Sequence, residues 1–260
     1  MCNTCGCDSS PSQNSALSPD NDQVDLHDQL LAGNDRIAAK NKALFHHHEV
    51  LVINLMSSPG SGKTLLLEKT IDHFRDTLKI AVIEGDLETE NDAQRIRRHG
   101  AQAEQISTGS ACHLDASMVA EVLPKFPLEQ LDVLFIENVG NLICPACFDL
   151  GQHVNVVLLS VPEGDDKPEK YPVMFRAADL LIVNKLDYLD IPSGFSVDRA
   201  EASFRKTGNR SLVLSTSCVT DVGLSSWFAW IQNQLSLIKN PLDTSSDNSS
   251  REESHHADRN

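Results

Sequence analysis

The stretch SSPGSGKT, residues 57–64, follows the apolar run VLVINLM (50–56) and passes directly into LLLEKTIDHF. A buried strand, a glycine-containing loop and a helix start, in that order, make the context in which a phosphate-binding loop works. Gly60 and Gly62 allow backbone N–H groups from Gly60, Ser61, Gly62 and onward to Leu65 to close around phosphate oxygens, and the helix N-terminus adds its positive dipole. Lys63 neutralises charge on the β and γ phosphates, and Thr64 offers a hydroxyl to Mg²⁺. The usual pattern begins with glycine, and Ser57 stands there instead.

Working outward, five more β-branched runs alternate with helical stretches: IAVIEG (80–85), VLFIE (133–137), VNVVLLSV (154–161), LLIVN (180–184) and SLVLS (211–215). Near-continuous apolar character is what burial on both faces of a parallel sheet requires. Helices are expected at 64–75, 200–206 and 224–238, which gives a three-layer α/β P-loop domain with a mostly parallel central sheet. Residues 26–45 fit an irregular amphipathic lead-in helix that Gly33 and Asn34 interrupt or restart. Residues 8–24 are too poor in large apolar side chains to offset their ordering entropy, and read as a flexible linker. Residues 241–260, rich in Ser, Asp and Asn, read as a disordered tail. The expected organisation is therefore a flexible segment 1–24, a GTPase domain 25–240 with its lead-in helix, and a tail 241–260.

Two strand ends carry chemistry that pairs with the phosphate loop. IAVIEGD ends on Asp86, placed to order Mg²⁺ or the attacking water, or else to cap the following helix. VLFIENVG ends in Glu137, placed to hold the Mg²⁺ water shell, and Gly140, whose N–H is placed to touch the γ-phosphate and order the next loop only in the triphosphate state. A further strand, LLIVN, leads into Asn184-Lys185-Leu186-Asp187. The Asp187 carboxylate can accept two parallel hydrogen bonds from guanine N1–H and its amino group, a pair that adenine lacks, so GTP is favoured over ATP. Asn184 braces this loop, and the Lys185 stem covers the base plane. In Ser215-Thr216-Ser217 a backbone N–H could reach the guanine carbonyl, or the three residues could simply form a turn.

The chain has 260 residues, 40% of them hydrophobic, and a formal net charge of −15. That charge argues against binding nucleic acid through its phosphates. No apolar run has the length to cross a bilayer, and the N-terminus lacks a secretory h-region, so a cytoplasmic protein with no membrane attachment is expected. Seven cysteines without a repeating framework do not describe a disulfide scaffold, and clustered thiols in a reducing compartment read first as metal ligands.

There are two such clusters. Cys2, Cys5 and Cys7 crowd the N-terminus in MCNTCGC. Three close thiolates can take one metal from a short segment without a preformed core, and a freed Cys2 amine would complete an S₃N set suited to Ni²⁺. Downstream, TGSACHLDA places Cys112 beside His113, and NLICPAC places Cys144 and Cys147 just beyond Gly140. Two thiolates and an imidazole from Cys112, His113 and Cys144 suit Zn²⁺ or Ni²⁺, against the alternative of small buried thiols. Cys147 is left undecided, Cys218 reads as no ligand, and His46, His47 and His48 read as a solvated histidine run.

The motifs NDRIAAKN, SSPGSGKT, EGDLETENDA, TGSACHLDA, FIENVGNLICPACFDLG and NKLD, in this order, resemble the HypB family of hydrogenase nickel-incorporation GTPases. The resemblance spans residues 34–238. It implies GTP hydrolysis to GDP, nucleotide-dependent homodimerisation, and nickel delivery to the large-subunit precursor of [NiFe]-hydrogenase with a partner nickel metallochaperone. It also implies that Cys112, His113 and Cys144 form the domain's metal site, that Lys63, Thr64, Asp86, Asn184 and Asp187 handle nucleotide, and that Cys2, Cys5 and Cys7 form a separate nickel site. The long histidine-rich segment of other members is missing here. Rival readings are a GTPase of urease or cobalamin assembly, a small-molecule kinase, and a passive metal buffer.

Overall fold

A computed structural model describes residues 20–86, 91–109, 111–191 and 194–240, with side chains from residue 29 onward. Cys2, Cys5, Cys7 and the tail from residue 241 lie outside the described residues, as do residues 87–90 that follow Asp86.

Seven strands form one sheet: β1 (Leu51–Ser57), β2 (Ile80–Asp86), β3 (Gln102–Ser107), β4 (Val133–Glu137), β5 (Val154–Ser160), β6 (Leu180–Asn184) and β7 (Leu212–Ser215). Their order is β3-β2-β4-β1-β5-β6-β7, and every pairing is parallel. Six of the seven fall where apolar runs were expected. The seventh, β3, reads QAEQIS and was not anticipated; it is an edge strand in which only Ala103 and Ile106 are buried, so its sequence lacks a continuous apolar run.

Eight helices are described: α1 (Asp20–His47), α2 (Lys63–Phe74), α3 (Asn91–Arg98), α4 (Ala116–Val122), α5 (Lys167–Lys170), α6 (Pro172–Arg176), α7 (Val197–Lys206) and α8 (Leu224–Lys239). Along β1, Leu51, Ile53 and Leu55 face one side, where α2, α3 and α8 cover them with Leu66, Phe74, Ile96, Trp227 and Ile231. Val50 and Val52 face the other side, beneath Phe45 of α1 and Val119 of α4. A third cluster joins β5 and β6 to α6 and α7 through Phe175 and Phe204. A strand buried on both faces thus yields the continuous apolar reading that marked it.

One expectation fails in α1. The helix runs unbroken for 28 residues through Gly33 and Asn34, and it starts at Asp20, inside the segment read as linker. Asn34 is 8% exposed and its amide is fully engaged with other segments, so tertiary hydrogen bonding outweighs the weak helix propensity of the Gly-Asn pair. Among the described residues no helix is long and apolar enough to cross a membrane.

Candidate functional site

The carboxyl ends of parallel strands in an open α/β sheet border a ligand crevice. Here β1 and β4 are neighbours, so the loop after Ser57 meets the loop after Glu137. Between them lies a cleft of about 410 Å³ lined by Gly60, Gly62, Lys63, Thr64, Asp86 and Glu137, among others.

Ser57 takes the role that geometry leaves it. Its hydroxyl accepts from Ser61 Oγ at 2.5 Å and from Lys63 Nζ at 3.0 Å, and donates to the Ser58 carbonyl. Ser57 belongs to β1 and carries no positive φ, so glycine is not needed there. Gly62 does need to be glycine: φ is 100°, and a Cβ would sit 2.7 Å from Asn184 Nδ2. Leu65, the next residue into α2, is partly buried against the core and also borders the cleft.

Thr64 Oγ1 donates to Glu137 Oε1 at 3.0 Å, and Lys63 Nζ lies 3.9 Å from the same oxygen. Glu137 Oε2 is buried with no hydrogen-bond partner among the described residues, and so is Glu84 Oε1. Glu84 and Glu137 are register partners on β2 and β4. Burial raises the Glu137 carboxyl above its ordinary range, with the Lys63 charge opposing. Burial, then the Glu137 charge, pushes Glu84 well up. Neighbouring carboxyls beside a threonine hydroxyl, each with an oxygen that has no partner among the described residues, make an oxygen donor set that fits a hard cation such as Mg²⁺.

Sequence reading missed Glu84, Asp92 and Arg95, which also border the cleft. Arg95 binds both carboxylate oxygens of Glu68 at 2.8 and 3.0 Å and reaches Asp92 at 3.0 Å, so it joins α3 to α2. The signal was present in NDAQR, four residues of polar character framing one alanine, but nothing in the spacing aims it at the cleft.

The N-K-x-D segment closes over the phosphate loop from β6. Asn184 Nδ2 donates to the Ser61 carbonyl at 3.0 Å, and Lys185 Nζ donates to the Gly60 carbonyl at 2.6 Å. Lys185 holds φ 64°. Asp187 Oδ1 accepts from Ser217 Oγ at 2.5 Å, so the Ser215-Thr216-Ser217 segment does more than turn the chain: it orients the expected base-reading carboxylate. Thr216 Oγ1 donates to Asn184 Oδ1 at 3.1 Å. Cys218 is buried beside Asn184, and burial pushes its thiol up to about 11.

Cys112, His113 and Cys144 converge. Their donor atoms all lie within 4.8 Å of one another, and the two sulfurs are 2.8 Å apart. His113 stacks on Phe148 with ring centroids 3.9 Å apart and 20° between planes. Burial lowers the His113 imidazole below its ordinary range, which keeps a lone pair free near neutrality. Cys144 and Cys147 share a short 3₁₀ turn, but Cys147 is not one of the three donors that lie within 4.8 Å of one another, and it borders a hollow with Asp35 and Met56. Two thiols and a neutral imidazole make a soft donor set for Zn²⁺ or Ni²⁺.

The two sites share one connection. Gly140 packs so closely on the phosphate loop that a Cβ would lie 2.9 Å from the Pro59 Cα, and the same segment then reaches Cys144.

Comparison with known proteins finds relatives over most of the chain. A family model described as CobW/HypB/UreG, nucleotide-binding domain, matches residues 51–213. Hydrogenase maturation factor HypB of Escherichia coli strain K12 is 46% identical over 211 residues, covering 81% of this chain and 72% of that protein. The crystal structure of HypB from Helicobacter pylori in complex with nickel superposes with a TM-score of 0.73 at 42% identity, covering 78% of this chain and 95% of that one. HypB from Archaeoglobus fulgidus superposes with a TM-score of 0.74 at 41% identity, covering 79% of this chain and 100% of that one.

Proposed function

The chain belongs to the CobW/HypB/UreG nucleotide-binding family, in its HypB branch, and from that premise we propose that it is a GTP-hydrolysing nickel metallochaperone for [NiFe]-hydrogenase. The observation that carries the reading is the segment after β4, which borders the phosphate cleft at Gly140 and supplies Cys144 to the soft donor group.

In this reading, backbone N–H groups from Gly60 to Leu65 and the Lys63 ammonium hold the phosphates. Thr64, with Asp86 and Glu137 behind it, holds Mg²⁺, whose chemistry is to neutralise charge on the β and γ oxygens. Asp86 orients the attacking water, and the Gly140 N–H meets the γ-phosphate. Asn184, Lys185 and Asp187 select guanine. Cys112, His113 and Cys144 bind Ni²⁺ or Zn²⁺ as thiolates and neutral imidazole, releasing the thiol protons as they do. Cys2, Cys5 and Cys7 form a second Ni²⁺ site ahead of α1, and the GTPase domain follows to residue 240.

GTP favours a homodimer, and hydrolysis to GDP releases nickel toward the large-subunit precursor of [NiFe]-hydrogenase, with a partner nickel metallochaperone in the relay. The setting is the cytoplasm, with no nucleic acid and no membrane among the partners.

Complementation tests this reading. In cells lacking their own hydrogenase maturation GTPase, the chain restores hydrogenase activity, while Lys63→Ala and Cys112→Ala do not. Full activity with Lys63→Ala would leave a passive metal buffer, and a preference of the purified protein for ATP would leave a small-molecule kinase.

A further inference from the structure

The motif NDRIAAKN (34–41) on α1 touches neither phosphate nor thiol, yet it holds the two loops that carry the soft donors. Asn34 Nδ2 donates to the Asp149 carbonyl at 2.8 Å, and Asn34 Oδ1 accepts from the Ala116 N–H at 2.9 Å. Asn41 Nδ2 donates to the Ala116 carbonyl at 2.9 Å and to the Leu150 carbonyl at 3.1 Å. Each amide therefore bridges the same two segments. One is the segment that leaves Cys112 and His113 and enters α4 at Ala116. The other is the segment that leaves Cys144 and passes through Phe148 to Leu150.

The spacing makes this a single device. Residues 34 and 41 are about two helical turns apart, so they lie on one stripe of α1, roughly 10 Å along its axis. Ala38 lies between them, fully buried. Gly151 is pressed against that stripe: a Cβ there would lie 2.6 Å from the Ala38 carbonyl and 2.7 Å from the Asn41 Cβ. Ala116 is gripped at its N–H by Asn34 and at its carbonyl by Asn41. On the second segment the gripped carbonyl of Asp149 directly follows Phe148, whose ring stacks on His113. Asn34 and Asn41 are 8% and 4% exposed, so water does not replace these bonds.

We propose that Asn34 and Asn41 are positioning residues of the Cys112, His113 and Cys144 metal site, with α1 as the gauge that sets the distance between its two donor-bearing loops. The inference rests on the reading of those three residues as a soft-metal site. Groups that orient ligands from behind typically change metal affinity by about 10–100-fold when removed.

The experiment uses the full chain with Cys2, Cys5 and Cys7 replaced by Ser, so that only the inner donors bind, and Ni²⁺ alone as the probe. Affinity is read by chelator competition, and coordination by the thiolate-to-nickel charge-transfer band. Asn34→Ala and Asn41→Ala each weaken Ni²⁺ binding by about 10–100-fold and shift the band. Asn34→Asp keeps an acceptor for the Ala116 N–H and loses the donor to Asp149, and falls between Asn34→Ala and the parent. Lys40→Ala, on an exposed face of the same helix, leaves affinity and band unchanged. Melting curves show which variants are folded, and the Asp variant carries the test if an Ala variant is not. Folded variants of Asn34 and Asn41 that bind as the parent does, with an unshifted band, overturn the inference. If Cys112→Ala in this background binds Ni²⁺ as tightly as its parent, the metal-site reading itself has failed and the inference falls with it.

Discussion

Asn141 donates from Nδ2 to the carbonyl oxygen of Cys112 at 3.3 Å, which ties the residue after Gly140 to the loop that carries two soft donors. The Asn141 Oδ1 accepts from the Ile143 N–H at 2.8 Å, so the same side chain also shapes the approach to Cys144. Asn138 adds a second tie, accepting from the Leu114 N–H at 3.3 Å. With Gly140 packed on Pro59, a displacement at the γ-phosphate edge has a short covalent and hydrogen-bonded route to the thiols. Such couplings are typically about 5–150-fold in affinity. In Asn141→Ala the ratio of Ni²⁺ affinities between GTP-analogue and GDP states falls toward one, as read by paired titrations; an unchanged ratio removes Asn141 from the route.

The carboxylate of Asp187, fixed by Ser217, is expected to read guanine through two accepted hydrogen bonds. Asp187→Asn replaces one acceptor oxygen with a donor, leaving the guanine amino group facing another N–H. GTP affinity then drops by on the order of 10²-fold or more, while a xanthosine nucleotide, with a carbonyl at that position, gains. Displacement of a fluorescent nucleotide measures both. Undiminished GTP binding would place the base elsewhere.

Glu84 is 2% exposed, and burial, then the neighbouring Glu137 charge, pushes its carboxyl well above the usual carboxylate range. A carboxyl whose folded pKa is raised contributes stability below its unfolded value, and that contribution is lost as pH rises through the folded value. Glu84→Gln removes this loss. The nucleotide-free variant melts higher than wild type at pH 8, and the difference closes toward pH 4. A variant that melts lower across the whole range would show that the ionised carboxylate is the stabilising form.

Much of this was legible because the chemistry is local. β1, the phosphate loop and α2 are consecutive in the chain, so 57–64 declares fold and ligand class together. Cys112 and His113 are adjacent, and Cys144 follows Gly140 closely. What stayed hidden depends on distance in sequence. The stack of Phe148 on His113, the Glu84 and Glu137 pairing across β2 and β4, and the grip of Asn34 on Ala116 join residues that no local pattern connects. α1 shows the same limit from the other side. Gly33 and Asn34 look like a break, and only the partners of Asn34 explain why the helix continues.

His153 supplies an acid-sensitive element away from both sites. Its Nδ1 accepts the Val52 N–H at 3.0 Å, so in the neutral ring Nε2 carries the proton. Burial, with the charges of His46 and Lys42, pushes its pKa down to about 4. The unfolded chain therefore takes up this proton near pH 6.5 and the folded one only near 4, so stability falls as pH drops through that interval. Thermal melts between pH 7 and 4.5 show the decline, and His153→Asn, which retains an acceptor, flattens it. An identical slope in the variant would assign the acid sensitivity to other groups.

The link between nucleotide state and metal is read most directly by Ni²⁺ affinity at the Cys112, His113 and Cys144 site, in full-length protein with Cys2, Cys5 and Cys7 replaced. The measurement is made once with GDP and once with a non-hydrolysable GTP analogue. Because linkage is reciprocal, the affinities should differ, and Ni²⁺ should shift the relative affinities of the two nucleotides by the same factor. Equal Ni²⁺ affinity in the two states would contradict a GTP-driven nickel switch and leave two independent sites on one domain.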